Sequence, residues 1–360
     1  MKVSFVTANL NSGGAERVIS LLANEFDRHG YLVEIIFLKE RVVFYSINPQ
    51  VKLIVADEEC HSKAMWKKMW WLRNYIKQTK PDAVIPFRVS VYTTTLFSLF
   101  GLSVPIIASE RIDPHISDPL WNMLRMLLLP FSSHLIVQTS YIKSYYPKFI
   151  QKKTTIIPNP VRDEVFSLPH PTLIEGCSDK INRIISVARL APQKNQKMMI
   201  KAFAKVADEF PDWQLVIFGE GPLRAELEFL VSSFKLQGRV LLPGRTEHVI
   251  EELRKSKIFC LSSDYEGLSN AMIEAICVGL PIISTCVSGT EDVLVNGKNG
   301  FIIPINDQDA LVHSLRTLLQ DEQLRNGMGK NNLRQAKLFN IEGIYSQWEK
   351  LINTIVNNED

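Results

Sequence analysis

The strongest constraint on the fold is a repeated alternation of short apolar runs with amphipathic stretches. Thirteen runs are predicted as strands: KVSFVTA, LVEIIFL, KLIVA, AVIPF, PIIAS, HLIVQT and TTIIP in the first half, then RIISVA, WQLVIFG, VLLPG, IFCLS, PIISTC and GFIIP in the second. Segments with helical spacing separate most of them. Apolar strands that alternate with helices are typical of a parallel sheet covered on both faces. The sequence therefore predicts an α/β protein.

Residues 157–180 form a proline-rich segment that interrupts both periodicities, and we predict that they link two domains. A length of 360 residues also favours two domains, which we place at 1–165 and 178–338. Both halves begin with a strand, a small loop and an amphipathic helix. We therefore expect two Rossmann-like domains facing each other across a cleft, with ligands at the carboxyl ends of the strands.

The composition excludes several classes of protein. Hydrophobic residues make up 46% and charged residues 22%, as in ordinary folded domains. The five cysteines include no CxxC pair and no Cys/His cluster, so we expect neither a zinc site nor a disulfide framework. The N-terminal apolar run is too short for a signal peptide, and no stretch approaches the roughly 20 apolar residues that span a bilayer. A cytosolic protein is expected.

Charge is unevenly distributed along the chain. Residues 1–160 carry 19 Lys and Arg against 12 Asp and Glu, whereas the remainder carries 22 against 26. The first half is therefore expected to face something anionic. Because no nucleic-acid-binding module accompanies the charge, we do not expect nucleic acid as a partner.

Two loops after predicted strands suit an anionic ligand. Gly13 and Gly14 follow the first strand and precede a helix, whose free N–H groups favour phosphate; a tight turn without ligand is the alternative. Arg189 and Lys194 follow the strand RIISVA, and a guanidinium with an ammonium suits a diphosphate. Isolated surface charges are the alternative reading of that pair.

The turn FGEGPLR contains Gly219-x-Gly221 after a strand, but Arg224 stands where a dinucleotide fingerprint has its third glycine. A nicotinamide enzyme is therefore disfavoured. Asp307-Gln308-Asp309 has the spacing of a manganese-binding DxD motif, yet it opens a predicted helix, where acids are expected as caps. We expect no metal.

The segment from Asp264 to Pro281 places Glu266 and Glu274 around the start of an almost wholly apolar, and hence buried, helix. Buried carboxylates need hydroxyl, amide or cationic partners, which sugar and ribose hydroxyls would supply. The alternative is that Glu266 caps the helix and Glu274 forms a structural ion pair.

Residues 61–80 are predicted to form a basic helix. Its core stripe comprises Met65, Met69, Leu72 and Ile76, and its opposite face carries Lys63, Lys67, Trp70, Trp71 and Asn74. Tryptophan beside lysine on an outward face suits an anionic membrane surface. Alternatively, both indoles pack under a neighbouring loop while the lysines are solvated.

Taken in order, SGGAER, VARL, FGEGPLR, GRTEHV and EGLSNAMIEA closely resemble the retaining glycosyltransferases of family four, which have the GT-B fold. The resemblance covers nearly the whole chain. The SGGAER opening and the SERIDP segment look most like bacterial enzymes that extend polyprenyl-linked or other surface glycans, including the N-acetylgalactosaminyltransferases of protein-glycosylation loci.

The resemblance implies a retaining, metal-independent hexosyltransferase without a cofactor, because the nucleotide sugar, favoured as UDP-linked, is a substrate. It implies a glycan or glycolipid acceptor, a peripheral position on the inner face of the cytoplasmic membrane, and a C-terminal helix, 341–358, that packs back on the first domain. The implied donor-binding residues are Gly13, Gly14, Arg189, Lys194, Gly219, Arg245, Glu266, Gly267, Leu268, Ser269, Asn270 and Glu274. Of these, Arg189, Lys194 and Glu266 are also the implied catalytic residues.

One position departs from the family pattern. Many relatives carry a histidine near the reacting sugar, whereas this chain has Glu110 and Arg111 there and no histidine before His115. Both remain acceptor-side candidates, and a strand end with a local Glu/Arg pair is the alternative. Two other functions stay open: a sugar-nucleotide epimerase of the same fold, and a non-catalytic subunit that binds a nucleotide sugar.

Overall fold

The computed structural model describes residues 1–11, 13–167 and 181–357. Contacts divide the chain into two compact units: unit 1 comprises Met1–Pro160 and Ile341–Asp360, and unit 2 comprises Val161–Asn340. Val161 and Val165 belong to the core of unit 2, so the boundary falls before the predicted residue 165. The predicted linker lies outside the described residues from position 168 onward.

Unit 1 is built on parallel strands. Its first elements are β1 (Lys2–Thr7), α1 (Gly14–Arg28), β2 (Leu32–Phe37), β3 (Lys52–Val55), α2 (Ala56–Glu59), α3 (Met65–Thr79), β4 (Ala83–Pro86), α4 (Val89–Ser98), β5 (Ile107–Ser109), α5 (Pro119–Leu128), β6 (His134–Val137), α6 (Ser140–Tyr145), α7 (Lys148–Gln151) and β7 (Thr154–Ile156). Strands pair in the orders β3-β2-β1-β4 and β5-β6-β7. Isolated parallel bridges, Val84 with Ile106 and Phe87 with Ser109, join the two groups.

Unit 2 repeats this plan. Its elements are α8 (Glu164–Ser167), β8 (Arg183–Val187), α9 (Gln196–Ala204), β9 (Gln214–Phe218), α10 (Arg224–Ser233), β10 (Val240–Gly244), α11 (Val249–Arg254), β11 (Ile258–Leu261), α12 (Asn270–Cys277), β12 (Ile282–Thr285), α13 (Thr290–Val293), β13 (Gly300–Ile303), α14 (Gln308–Gln320) and α15 (Glu322–Gln335). The parallel sheet has the order β10-β9-β8-β11-β12-β13. The predicted α/β class is confirmed, and each predicted strand has its counterpart.

The last helix, α16 (Ile341–Val356), belongs to unit 1 and packs against α1. Its Trp348 is fully buried and stacks on Phe87, with ring centroids 6.0 Å apart. Tyr345 meets Phe26 of α1 edge-on at 4.9 Å. Burying such large aromatic side chains anchors the helix, since each removes on the order of 150–250 Å² from water.

Helix α3 corrects one prediction. Met65 is 42% exposed, and the buried stripe is instead Lys68, Leu72 and Ile76. Lys68 is buried because its ammonium donates to the carbonyl of Leu38 at 2.8 Å and pairs with Asp57.

The two adjacent tryptophans of α3 behave differently. Trp70 is exposed, as the outward-face reading predicted. Trp71, predicted on the same outward face, is instead half-buried: it stacks on Tyr75 of the same helix at 5.1 Å and packs against the core of unit 1. Among the described residues, none of the helices is long and apolar enough to cross a membrane.

Candidate active site

The loops after β8 and β11 meet because these strands are neighbours in the sheet of unit 2. The backbone N–H of Asp264 donates to the carbonyl of Gln193 at 2.8 Å, and the side-chain amide of Gln193 donates to the carbonyl of Tyr265 at 2.9 Å. Asn195 adds a side-chain hydrogen bond to Asp264 at 2.9 Å. The two loops therefore form one rigid edge at the carboxyl ends of the strands, the position at which open parallel sheets bind ligands.

This edge carries a cluster of Lys194, Glu266 and Ser263. The ammonium of Lys194 pairs with the Glu266 carboxylate, and the Ser263 hydroxyl donates to the same carboxylate at 2.7 Å. Glu266 is buried, so both partners offset the cost of removing its charge from water. Two residues predicted as donor-binding, 72 positions apart, are thus in direct contact.

The cap of helix α12 is Ser269, whose hydroxyl accepts from the backbone N–H of Met272 at 3.4 Å. The alternative in which Glu266 caps this helix is therefore wrong. Leu268 and Ser269 are buried at the helix start, while Gly267 and Asn270 are half-buried. Their contact with a donor sugar stays a prediction.

Glu274 lies on α12 with only 3% of its surface exposed. Burial raises the pKa of the Cys277 thiol on the same helix, and the negative charge of Glu274 raises it further. The thiol is therefore neutral at physiological pH and unsuited to act as a nucleophile. The predicted contact of Glu274 with a ribose remains a prediction.

Arg189 is exposed in the loop that follows β8. Its backbone is held by the side-chain amide of Gln196, which donates to the Arg189 carbonyl at 2.8 Å. A fixed backbone with an exposed guanidinium leaves the charged end available to an anion.

The glycines of FGEGPLR have a packing role that the sequence did not reveal. A Cβ on Gly219 would lie 1.9 Å from the carbonyl oxygen of Ala188, and one on Gly221 would lie 2.3 Å from that of Leu190. The backbone of this turn therefore presses against the loop that carries Arg189. Donor binding by Gly219 stays a prediction. The close approach of the two backbones is sufficient reason for a glycine at this position.

Arg245 follows β10 and is exposed. Hydrogen bonds from Arg224, at 2.8 and 2.6 Å, hold the pKa of Glu220 below its usual range, and the positive charge of Arg245 contributes to that shift. Arg245 therefore lies near the FGEGPLR turn, as expected for residues that follow the adjacent strands β9 and β10.

In unit 1, Gly13 precedes α1 at the carboxyl end of β1. A Cβ there would lie 2.1 Å from Glu16 Oε2, because the Glu16 carboxylate folds back over the glycine. Arg88, just past β4, donates from Nη1 to Glu16 Oε1 at 3.0 Å and has a positive φ of 74°. The sequence did not predict this ion pair of Arg88 with Glu16, although Arg88 directly follows a predicted strand. Ser12 lies outside the described residues, and phosphate binding by Gly13 and Gly14 stays a prediction.

Glu110 lies in a buried polar network. Arg125 pairs with it at 3.1 Å, and the hydroxyls of Tyr92 and Tyr146 donate to it at 2.7 and 3.3 Å. Burial and the Glu110 charge raise the pKa of Tyr92 well above its usual value, so this phenol remains a donor. The ion pair of Glu110 is with Arg125 of α5, 15 positions along the chain, and so differs from the local pair with Arg111 that was weighed as the alternative.

Arg111 is also buried, between the rings of Phe87 and Trp348 at 4.9 and 5.7 Å. It donates to Ser109 at 2.8 Å and to Asn159 at 2.9 Å, and burial lowers its pKa to about 9. Its Nη2 atom has no hydrogen-bond partner within the part of the chain that the structure describes. Acceptor contact by Glu110 or Arg111 stays a prediction.

Both carboxylates of Asp307-Gln308-Asp309 have partners within the protein. Asp307 accepts from the backbone N–H of Ala310 at 2.8 Å, which makes it the cap of α14, and Asp309 pairs with Lys205 at 2.8 Å. The capping interpretation of this DxD sequence is confirmed.

Comparison with known proteins identifies the family to which the chain belongs. Residues 12–165 match the model described as Glycosyltransferase Family 4, and residues 175–335 match the model described as Glycosyl transferases group 1. The chain is 32% identical, over 99% of both chains, to a GalNAc-α-(1→4)-GalNAc-α-(1→3)-diNAcBac-PP-undecaprenol α-1,4-N-acetyl-D-galactosaminyltransferase of Campylobacter jejuni. A second N-acetylgalactosaminyltransferase of that organism, named for N-acetylgalactosamine-N,N'-diacetylbacillosaminyl-diphospho-undecaprenol, is 24% identical, with 94% of this chain and 95% of the relative covered.

Solved structures agree in fold. Alr3699/HepE of Anabaena in complex with UDP superposes with a TM-score of 0.80 at 16% identity, covering 98% of this chain and 100% of the other. The chain belongs to glycosyltransferase family four and is a glycosyltransferase with the GT-B fold.

Proposed function

We propose that the chain transfers an N-acetylhexosamine or another hexose from a UDP-linked donor to a polyprenyl-linked oligosaccharide in bacterial surface glycan or glycoprotein synthesis. The observation that carries this proposal is the 32% identity, over 99% of both chains, to an enzyme whose named acceptor is a diphospho-undecaprenol-linked saccharide. UDP in the complexes of Alr3699/HepE supports the choice of donor base.

The proposed chemistry uses the charged side chains at the carboxyl edge of the sheet in unit 2. When the glycosyl–phosphate bond breaks, negative charge develops on the diphosphate, and fixed cations stabilise it. Arg189 and Lys194 lie in one loop at this edge and are proposed to hold the leaving group. Glu266 would accept hydrogen bonds from hydroxyls of the donor sugar, and Glu274 would accept them from the ribose. These hydroxyls would supply some of the hydrogen-bond partners that a buried carboxylate needs.

We propose transfer with retention of configuration and without a metal. In this scheme the bond from the anomeric carbon to the phosphate oxygen breaks, and the acceptor oxygen bonds to the same carbon from the same face. The acceptor's proton passes to the departing phosphate. The chain's contribution is to orient the donor and to stabilise the leaving group through Arg189 and Lys194.

A polyprenyl-linked acceptor is held in a bilayer, so we propose that the enzyme is peripheral on the inner face of the cytoplasmic membrane. The excess of basic residues in positions 1–160 supports attraction to anionic lipid. The exposed residues Lys67 and Trp70 of α3, with Lys63 in the loop before it, have the composition of a headgroup interface.

The test has two stages. Thermal unfolding with UDP, GDP and ADP should show a rise in melting temperature with UDP, because a ligand at 100 times its Kd stabilises the native state by about 2.7 kcal/mol. Transfer is then measured with UDP-sugars and a polyprenyl-diphosphate-linked acceptor, with and without EDTA. Donor isomerisation without any transfer would favour an epimerase, and donor binding without either reaction would favour a non-catalytic subunit.

A further inference from the structure

Helix α5 has an inverted distribution of polarity. Its solvent-facing residues Leu120, Met123 and Leu127 are 55%, 59% and 62% exposed. The charge on this helix, Arg125, is fully buried and pairs with Glu110 at 3.1 Å. A helix on the surface of a water-soluble domain ordinarily buries its apolar stripe and exposes its charges. Here three large apolar side chains of the helix lie on the outside, while the arginine is buried.

The neighbouring sequence extends this apolar surface. Between Val89 and Ser133 there are five charged residues, and four of them are buried; the exposed one is Asp118. The exposed large apolar side chains beyond α5 include Phe97, Phe100 and Phe131. Phe100 and Phe131 meet edge-on at 5.0 Å, which joins the end of α4 to the turn after α5.

Helix α3 borders this surface. Arg73 donates to the carbonyls of Ser98 and Phe100 at 3.0 and 2.7 Å, and so ties α3 to the end of α4. The start of α3 presents Trp66, 69% exposed, beside Lys67, whose ammonium lies 5.5 Å from that indole ring. An almost uncharged apolar area thus adjoins a helix that carries tryptophan and lysine.

We propose that Leu120, Met123, Leu127, Phe97, Phe100 and Phe131, which we call the α4–α5 face, insert into the acyl boundary of an anionic bilayer while α3 rests on the headgroups. The inference rests on the proposed membrane-bound acceptor and names the residues that enter the membrane. Moving exposed apolar side chains of this size out of water is favourable, and lysine with tryptophan at the border matches the chemistry of an anionic headgroup layer.

A bilayer explains the lysine and tryptophan residues beside the α4–α5 face better than a protein partner does. The cores of protein interfaces are depleted of lysine, whereas lysine stems extend readily toward lipid phosphates. The exposed lysines of the first part of α3 and its preceding loop, Lys63 and Lys67, and the net positive charge of residues 1–160 supply the complementary charge.

The experiment is co-sedimentation of the full chain with vesicles of phosphatidylcholine, with and without phosphatidylglycerol. The triple variant Leu120→Ser/Met123→Ser/Leu127→Ser should bind both kinds of vesicle at least about tenfold more weakly, because it loses three insertion sites. Lys63→Glu/Lys67→Glu should weaken binding only when phosphatidylglycerol is present, by about fivefold or more. Phe229→Ser, at a residue of α10 in unit 2 that is 74% exposed, is the matched control and should bind as the parent does.

Sugar transfer to a short, water-soluble acceptor is measured in parallel, so that the membrane inference and the proposed function fail separately. Vesicle binding that follows the predicted pattern without any transfer would support the α4–α5 face and reject the proposed function. Transfer without vesicle binding, or a triple variant that binds as the parent does, would overturn the inference. A parent that self-associates and a triple variant that is monomeric, neither binding vesicles, would identify the face as an interface between copies and also overturn it.

Discussion

The two units share the same arrangement of strands but differ in where their charged side chains lie. At the carboxyl edge of unit 2, Arg189 is exposed and Lys194 pairs with Glu266 near the surface. At the corresponding edge of unit 1, Glu110 and Arg111 are buried, and Arg125 is withdrawn from α5 into the interior. The first arrangement leaves cations that a ligand can use, and the second uses its charges to hold the domain together.

This difference separates two kinds of mutational effect. Removing an internal charge of unit 1 leaves its partner buried and unpaired, so the cost falls on stability. Removing an edge cation of unit 2 removes stabilisation of the leaving group, so the main cost falls on turnover. Loss of the exposed Arg189 leaves the fold intact, whereas loss of Lys194 also leaves the buried Glu266 without its cation and lowers stability as well. Each variant below therefore needs both a stability measurement and a rate.

Arg125→Ala should give the largest effect, a loss of about 3–5 kcal/mol in the free energy of unfolding, because Glu110 stays buried without its cation. Urea unfolding followed by tryptophan fluorescence measures it. Five of the six tryptophans lie in unit 1, so the signal reports mainly on that unit.

The double variant Arg125→Met/Glu110→Gln is the control, since removing both charges avoids the unpaired carboxylate. It should recover a large part of the lost stability. If Arg125→Ala unfolds at the same urea concentration as the parent, the pair contributes nothing and the comparison between the units fails.

Arg189→Ala and Lys194→Ala should each lower turnover by about two orders of magnitude or more, equivalent to about 2.7–4 kcal/mol of transition-state stabilisation. The physical reason is the loss of one fixed cation at the departing diphosphate. Steady-state transfer with a UDP-sugar gives the rate.

Lys201→Ala, at an exposed lysine on α9 of the same unit, is the control and should retain the parent's turnover. Unfolding of Arg189→Ala should match the parent, because the side chain is exposed. Near-normal turnover in both variants would remove these residues from the mechanism.

Gly219→Ala tests whether the FGEGPLR turn acts through packing. Gly219 and Gly238 both have positive φ, 147° and 78°, but a Cβ on Gly219 would lie 1.9 Å from a backbone oxygen whereas one on Gly238 has nothing within 4 Å. Gly238→Ala should cost about 1–2 kcal/mol of stability from left-handed strain alone. Gly219→Ala should cost a further 1–3 kcal/mol or so from overlap and weaken UDP binding. Equal melting temperatures would contradict the packing role.

Much of the fold could be predicted because fully buried parallel strands appear in the sequence as continuous apolar runs. The thirteen predicted runs correspond to β1–β13. On α3 the prediction was right for Leu72 and Ile76 and wrong for the first turns, where Lys68 is buried and Met65 is exposed. The partners of the Lys68 ammonium, which are Leu38 and Asp57, come from other elements and cannot be recognised from periodicity.

The site could be predicted in part for a similar reason. Residues after strands were identified because parallel strands bring their carboxyl ends to one edge. The pairing of Lys194 with Glu266 depends on β8 and β11 being neighbours, which local pattern does not give. The contact of Arg88 with Glu16 likewise depends on the adjacency of β1 and β4, and so the sequence did not indicate it.

The smallest expected effect concerns His134 of β6, which tests whether unit 1 also loses stability when a partly buried side chain becomes charged. Burial lowers its pKa to about 4, and the positive charges of Lys153 and Lys143 contribute to the shift. Because the folded pKa lies below the unfolded value of 6.5, the stabilisation is complete above pH 6.5 and is lost as the pH falls toward 4. Partial exposure reduces the expected loss to about 1–2 kcal/mol. His134→Gln, whose amide is able to replace the 2.9 Å contact with Thr155, should lose less stability between pH 7 and pH 4.5 than the parent in urea unfolding. Parallel loss in both proteins would show that His134 does not contribute to the acid sensitivity of unit 1.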